Sequence, residues 1–110
     1  MSKTILYVRT TVRSSPGAIL TGAGDVARAI AHVPGLLWKV WLVDEPAAEF
    51  GGVYLFGSRA QAQAYVGGPV LQHLGQDPRV AHVEHRLWDT HALSALTRAP
   101  EVASAQKEVA

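Results

Sequence analysis

Apolar and β-branched residues run without a breaker from Thr4 to Arg13, T-I-L-Y-V-R-T-T-V-R. Such a run predicts a strand, with Leu6, Val8, Thr10 and Val12 on one side and Ile5, Tyr7, Arg9 and Thr11 on the other. Ser14-Ser15-Pro16-Gly17 then carries helix-start chemistry. From Ala18 to Val33 the apolar positions Ile19, Ala23, Val26, Ala27 and Ile30 recur at helical spacing. Gly22 and Gly24 each cost such a helix about 1 kcal/mol relative to alanine. The firm part is therefore Asp25 to His32, after irregular first turns, and Pro34-Gly35 ends it. Leu36 to Val43 predicts a second strand, Asp44 to Ala48 a polar turn, and Gly52 to Phe56 the core of a third strand paired to the second. Ser58 is a good N-cap for a second helix through Ala60, Ala62, Ala64 and Tyr65. Gly67-Gly68-Pro69 breaks that helix, and Val70 to Leu74 adds a short helical turn. Val80 to Asp89 is the fourth strand, and Thr90 to Ala99 a short terminal helix.

The order β-α-β-β-α-β predicts an α+β, ferredoxin-like fold: a four-stranded antiparallel sheet with helices on one face. It makes one domain of residues 1–99, with 100–110 as a frayed tail that carries little apolar surface. The second sheet face would be bare in a monomer. Yet the second strand is apolar on both sides, with Leu36, Trp38, Val40 and Leu42 on one and Leu37, Trp41 and Val43 on the other. A half-solvated sheet shows clean polar alternation instead. Something must cover that face, and a second copy of the sheet is the simplest candidate, which predicts a homodimer.

Composition narrows the partners. Ten basic and nine acidic residues in a chain of 110 give a formal charge of +1. That balance provides no electrostatic footprint for nucleic acid or an anionic membrane. With no cysteine there is no disulfide framework, thiolate nucleophile or zinc ribbon. No apolar run approaches the roughly 18 residues of a membrane span. The opening residues do not fit a signal peptide, so the expected location is cytoplasmic.

Two aromatic blocks stand out: Gly35-Leu36-Leu37-Trp38-Lys39-Val40-Trp41 and Gly51-Gly52-Val53-Tyr54-Leu55-Phe56, followed by Ala64-Tyr65. Together they resemble the YdhR-like family of monooxygenases, small proteins of the dimeric α/β-barrel superfamily related to the antibiotic-biosynthesis monooxygenases. The resemblance runs from about Ile5 to Leu93. It departs at Gly67-Gly68-Pro69, where some relatives continue a charged helix. It implies a dimeric barrel. It also implies a cofactor-independent monooxygenase of secondary metabolism, acting with O2 on a small aromatic or polyketide-like substrate. The same superfamily hosts haem-degrading enzymes, polyketide cyclases and isomerases. A non-redox cyclase or isomerase and a catalytically silent small-molecule binding protein are therefore the competing readings.

Cofactor-free oxygenation needs an apolar slot, a base, and a donor for developing negative charge. Trp38, Trp41, Tyr54 and Phe56 are the slot candidates. Lys39, Arg9, Tyr7 or an indole N–H is the donor, and His73 or His85 the base. Lys39 shares a strand face with Leu37 and Trp41, where a charge is costly without a partner. Its ordinary role would be a stem covering apolar surface while the ammonium reaches water or Glu49. Trp38 and Trp41 face opposite sides, so one packs in a core or interface and the other is free to line a pocket. His82 and His85 also diverge, and no H-x-H or H-x-x-x-H pattern occurs, so no local metal site is expected, although His73 or His85 could ligate a haem iron. His85 alternates with Ala81, Val83 and Leu87, which makes it the histidine expected to be buried. His82, Glu84 and Arg86 read as a charge ladder, and Asp44, Glu45 and Glu49 as solvated acids of the hairpin turn.

Overall fold

Antiparallel pairing organises the chain, and a computed structural model describes its residues 2–102. The elements are β1 (Thr4–Val12), α1 (Pro16–Thr21), α2 (Gly24–Ile30), β2 (Leu36–Asp44), β3 (Glu49–Phe56), α3 (Arg59–Val66), α4 (Pro69–Gln76) and β4 (Val80–Asp89), followed by one 3-10 turn at Ala92–Ala95. The strands lie in the order β2-β3-β1-β4, each antiparallel to its neighbour. This is the ferredoxin-like α+β arrangement. No helix among the described residues is long and apolar enough to cross a membrane.

The alternation of β1 decides where the core lies. Leu6, Val8, Thr10 and Val12 are buried on the helix side. Leu6 faces Tyr54 across the ladder, Thr10 faces Phe50, and Thr4 faces Phe56. Ile30 of α2 and Ala62 and Tyr65 of α3 close over Leu6, Val8, Tyr54 and Phe56. A second cluster joins Val12, Phe50 and Val80, with Ile19, Leu20 and Leu74 against it.

Local chemistry starts α1, α3 and α4. The Ser58 hydroxyl accepts from the Gln61 N–H at 3.2 Å and caps α3. Pro69 stands in the first turn of α4, where its missing N–H costs nothing. Ser15 caps α1 by accepting from the Ala18 N–H at 3.2 Å. The carboxylate of Glu45 then accepts from the Ser15 hydroxyl at 2.8 Å and the Gly17 N–H at 2.7 Å. Glu45, an exposed acid of the β2–β3 turn as expected, is thus also a strut to α1.

Three features depart from the periodicity. The first crossover is two short helices, not one, because α1 ends at Gly22 and α2 starts at Ala23 without a side-chain cap. In β2, Leu36 pairs with Phe56 while Trp38 pairs with Leu55, a bulge that absorbs Leu37. Leu36 therefore packs on the helix-side core with Trp41, away from Trp38. The expected terminal helix over Thr90–Ala99 shrinks to the turn at Ala92–Ala95. Of the expected frayed tail, Pro100 accepts from the Trp38 indole N–H at 3.4 Å and Val102 is buried. The remainder, 103–110, lies outside the described residues.

Gly51 offers a direct check of the β1–β3 ladder. A Cβ there would fall 1.9 Å from the Val8 carbonyl oxygen, a backbone atom with nowhere to go. Gly51→Ala is expected to cost more than about 2 kcal/mol of stability, read as a lower urea midpoint. A wild-type midpoint would show that the strands separate easily at this point.

Candidate functional site

The sheet presents one amine to the helices. Lys39 on β2 lies across from Tyr54, and Trp41 across from Gly52. The Lys39 Nζ sits 3.2 Å from the Trp41 ring centroid and 4.4 Å from that of Tyr54. Aromatic faces attract a cation by about 0.5–2 kcal/mol. Gly52 makes the space: a Cβ there would lie 2.5 Å from the Lys39 Cε and 3.1 Å from the Val40 carbonyl oxygen. Glu49 does not meet this amine, because it lies on the other sheet face, 3.6 Å from Arg9. Burial pushes the Lys39 amine down to about 7, against the pull of the rings on its charged form.

Above this floor is a cavity of about 390 Å³. Its floor includes Val8, Thr10, Phe50, Lys39, Trp41 and Tyr54. One wall comes from α1 and α2 through Ile19, Ala23, Val26 and Ile30, the other from α4 through Val70, Leu71, His73 and Leu74. The walls are almost wholly apolar. The break at Gly22 and Ala23 bends the first wall, and Val26 keeps 48% of its surface exposed while bordering the cavity. At the rim, Asp77 and Arg79 close on each other at 2.7 and 3.1 Å. Arg79 beside Asp77 holds that carboxyl down to about 2, so the pair is ionised and self-contained at neutral pH.

Two further polar groups border the apolar interior. The hydroxyls of Tyr54 and Tyr65 share a hydrogen bond of 2.8 Å, and burial pushes both phenols up, which keeps them protonated. The Thr10 hydroxyl is buried with no hydrogen-bond partner, at a residue that borders the cavity.

The structure gathers Lys39, Trp41, Tyr54 and His73 around one space. It separates the other candidates from it. Phe56 is fully buried behind Tyr54 and Tyr65, with ring centroids 6.0 and 5.6 Å away. Tyr7, Arg9 and Trp38 point to the opposite sheet face. There Arg9 pairs with Glu49 and Glu84, and with Tyr7 it lines a separate hollow of about 180 Å³. His85 sits opposite Val8 on the helix side, but β4 is an edge strand and the imidazole is exposed. It does not border the cavity. Glu84 draws Arg9 and, at 3.8 Å, His82, while Arg86 stacks on Trp88 at 3.7 Å. Among the described residues no cluster of three His, Cys, Asp or Glu side chains is arranged to hold a metal ion.

Thr10, Gly52 and the Asp77–Arg79 rim were not among the sequence candidates. The Gly51-Gly52 pair was a usable signal for one of them, since a strand glycine marks a close approach. Thr10 carried none, because in a β-branched stripe it is indistinguishable from a packing residue.

Residues 5–100 match the family model described as "Putative mono-oxygenase ydhR". No curated protein matches the chain. Among solved structures it is similar to SnoaB, a cofactor-independent oxygenase from Streptomyces nogalater, with a TM-score of 0.64 and 16% identity over 83% of this chain and 95% of that one. It is similar to NE2512, a protein of unknown function from Nitrosomonas europaea, with a TM-score of 0.61 and 22% identity over 82% and 90%. A third similar structure is the heme-degrader MhuD from Mycobacterium tuberculosis, with a TM-score of 0.60 and 17% identity over 79% and 94%. At these identities the shared property is the fold.

The desolvated amine has a measurable signature. Folding disfavours its charged form, so stability contributed by the neutral amine is full above the unfolded value of 10.5. It declines as pH falls toward about 7 and levels off below that. Lys39→Met is expected to raise the melting temperature at pH 6 by several degrees, on the order of 1–2 kcal/mol. The gain should shrink as pH rises above about 7 and vanish near 10.5. An unchanged or lower melting temperature at pH 6 would show that the rings fully compensate the buried charge.

Proposed function

Since the chain belongs to the ydhR mono-oxygenase family, we propose that it oxidises a small aromatic or polyketide-like substrate with O2 in the cavity between sheet and helices, without a bound cofactor. The observation that carries this reading is the single amine of Lys39 on the floor of a largely apolar space. The similarity of fold to SnoaB, a cofactor-independent oxygenase, supports it.

The chemistry is self-sufficient for a substrate with an acidic methylene between aromatic rings. The neutral amine of Lys39 removes one proton, and the resulting carbanion donates electrons to O2. One oxygen atom enters the substrate as a ketone, and the other leaves as water with both methylene hydrogens. The four electrons that reduce O2 all come from the substrate, so no external reductant is required. The ammonium left on Lys39 then faces the developing oxyanion or peroxide. In a water-poor space that pairing is stronger than in bulk solvent. Trp41 and Tyr54 provide flat apolar surface for the ring system, and His73 on α4 is positioned to relay the proton out.

We also propose that a second copy covers the outer sheet face. Tyr7, Val40, Leu42 and Trp88 lie on that face and stay 36%, 51%, 38% and 48% exposed. Large apolar side chains gathered on one exposed face mark an interaction surface. Light scattering at micromolar concentration is expected to give twice the 11.8 kDa chain mass. A stable monomer would remove this proposal.

Oxygen uptake tests the activity. Purified protein with an anthrone-like phenol, and without metal, flavin or nicotinamide, is expected to consume O2 in equal moles with ketone formed. Lys39→Met should slow that uptake by roughly 100-fold or more, the usual worth of a general base. Uptake no faster than buffer would end the oxygenase reading. Ring closure without O2 consumption would establish a cyclase in its place.

A further inference from the structure

Lys39 has a second chemical capability, which proton abstraction does not use. We infer that the cavity floor is a carbonyl-capture site, at which the Lys39 amine reversibly condenses with an aldehyde or ketone borne on a flat apolar body.

Geometry provides the grounds. Nζ borders the cavity and rests on the faces of Trp41 and Tyr54. Among the described residues it makes no ion pair or hydrogen bond that would tie up its lone pair or hold its protons. Gly52 leaves the strand side of Cε open, where a Cβ would lie 2.5 Å away. The surrounding walls, from Ile19 and Val26 to Val70 and Leu74, offer apolar surface for such a body.

The step balances without any redox partner. The nitrogen lone pair forms a bond to the carbonyl carbon, and the π pair moves to oxygen. The carbinolamine then loses that oxygen as water together with both amine hydrogens, leaving C=N. Attack needs the neutral amine, and burial brings Lys39 to about 7. At pH 7 such an amine is about a thousand times more often uncharged than an ordinary lysine. Lys3, by contrast, donates to the Glu101 carbonyl oxygen.

The test is reductive trapping of the wild-type protein at pH 7 with 2-naphthaldehyde and sodium cyanoborohydride, with oxygen excluded and the adducts located by peptide mass mapping. Lys39 is expected to be labelled at least tenfold faster than Lys3 or Lys107. In urea that preference should vanish. Lys39→Arg should abolish the fast adduct and leave the slow labelling of Lys3 as it was. Labelling of Lys39 no faster than that of Lys3 in the folded protein would overturn the inference, as would a fast adduct that persists in Lys39→Arg. The trap runs without O2, so its result is independent of whether the protein is an oxygenase.

Discussion

An amine lying on two aromatic faces, in a gap that exists because residue 52 has no side chain, is the contact around which the cavity floor is built. Three elementary facts hold it there. The β2 alternation puts Lys39 and Trp41 on one face. The β2–β3 register puts Tyr54 beside them. Gly52 then lets the lysine stem lie flat on the strand instead of standing upright toward solvent. Remove any one, and the ammonium regains water and becomes an ordinary surface lysine. Trp41, Tyr54 and Gly52 are therefore one device, although it spans two strands.

The two faces of the sheet carry separate tasks. The helix side holds the core and the cavity, while the outer side holds the Arg9, Glu49 and Glu84 ion pairs among exposed apolar residues. Half-exposed ion pairs contribute little stability, typically 0–1 kcal/mol.

Much of this was legible in the residues themselves. Period-two alternation placed Trp38 and Trp41 on opposite faces and Lys39 with Trp41, and the turn chemistry placed the boundaries of α3 and β4. What stayed hidden depends on long-range geometry. His85 alternates correctly with Val83 and Leu87, yet it is exposed because β4 is an edge strand, and strand order is not written in alternation. The side to which Arg9 and Tyr7 point followed from pattern, but which side held the cavity did not. Leu36 changed faces because a bulge absorbed Leu37, and a one-residue irregularity in an apolar run leaves no polar marker. The strut role of Glu45 was hidden because its partners, Ser15 and Gly17, are distant in sequence.

The break at Gly22 and Ala23 has a dynamic consequence. Helices of six and seven residues are far too short to be stable alone, so each depends on its docking surface. α1 is tied by Glu45, whereas α2 enters the buried core only through Ile30. The segment from Gly24 to Ala29 can thus detach as a small cooperative unit while the sheet stays intact. Its backbone amides will exchange with solvent hydrogen through this local excursion, well before those of β1 and β3.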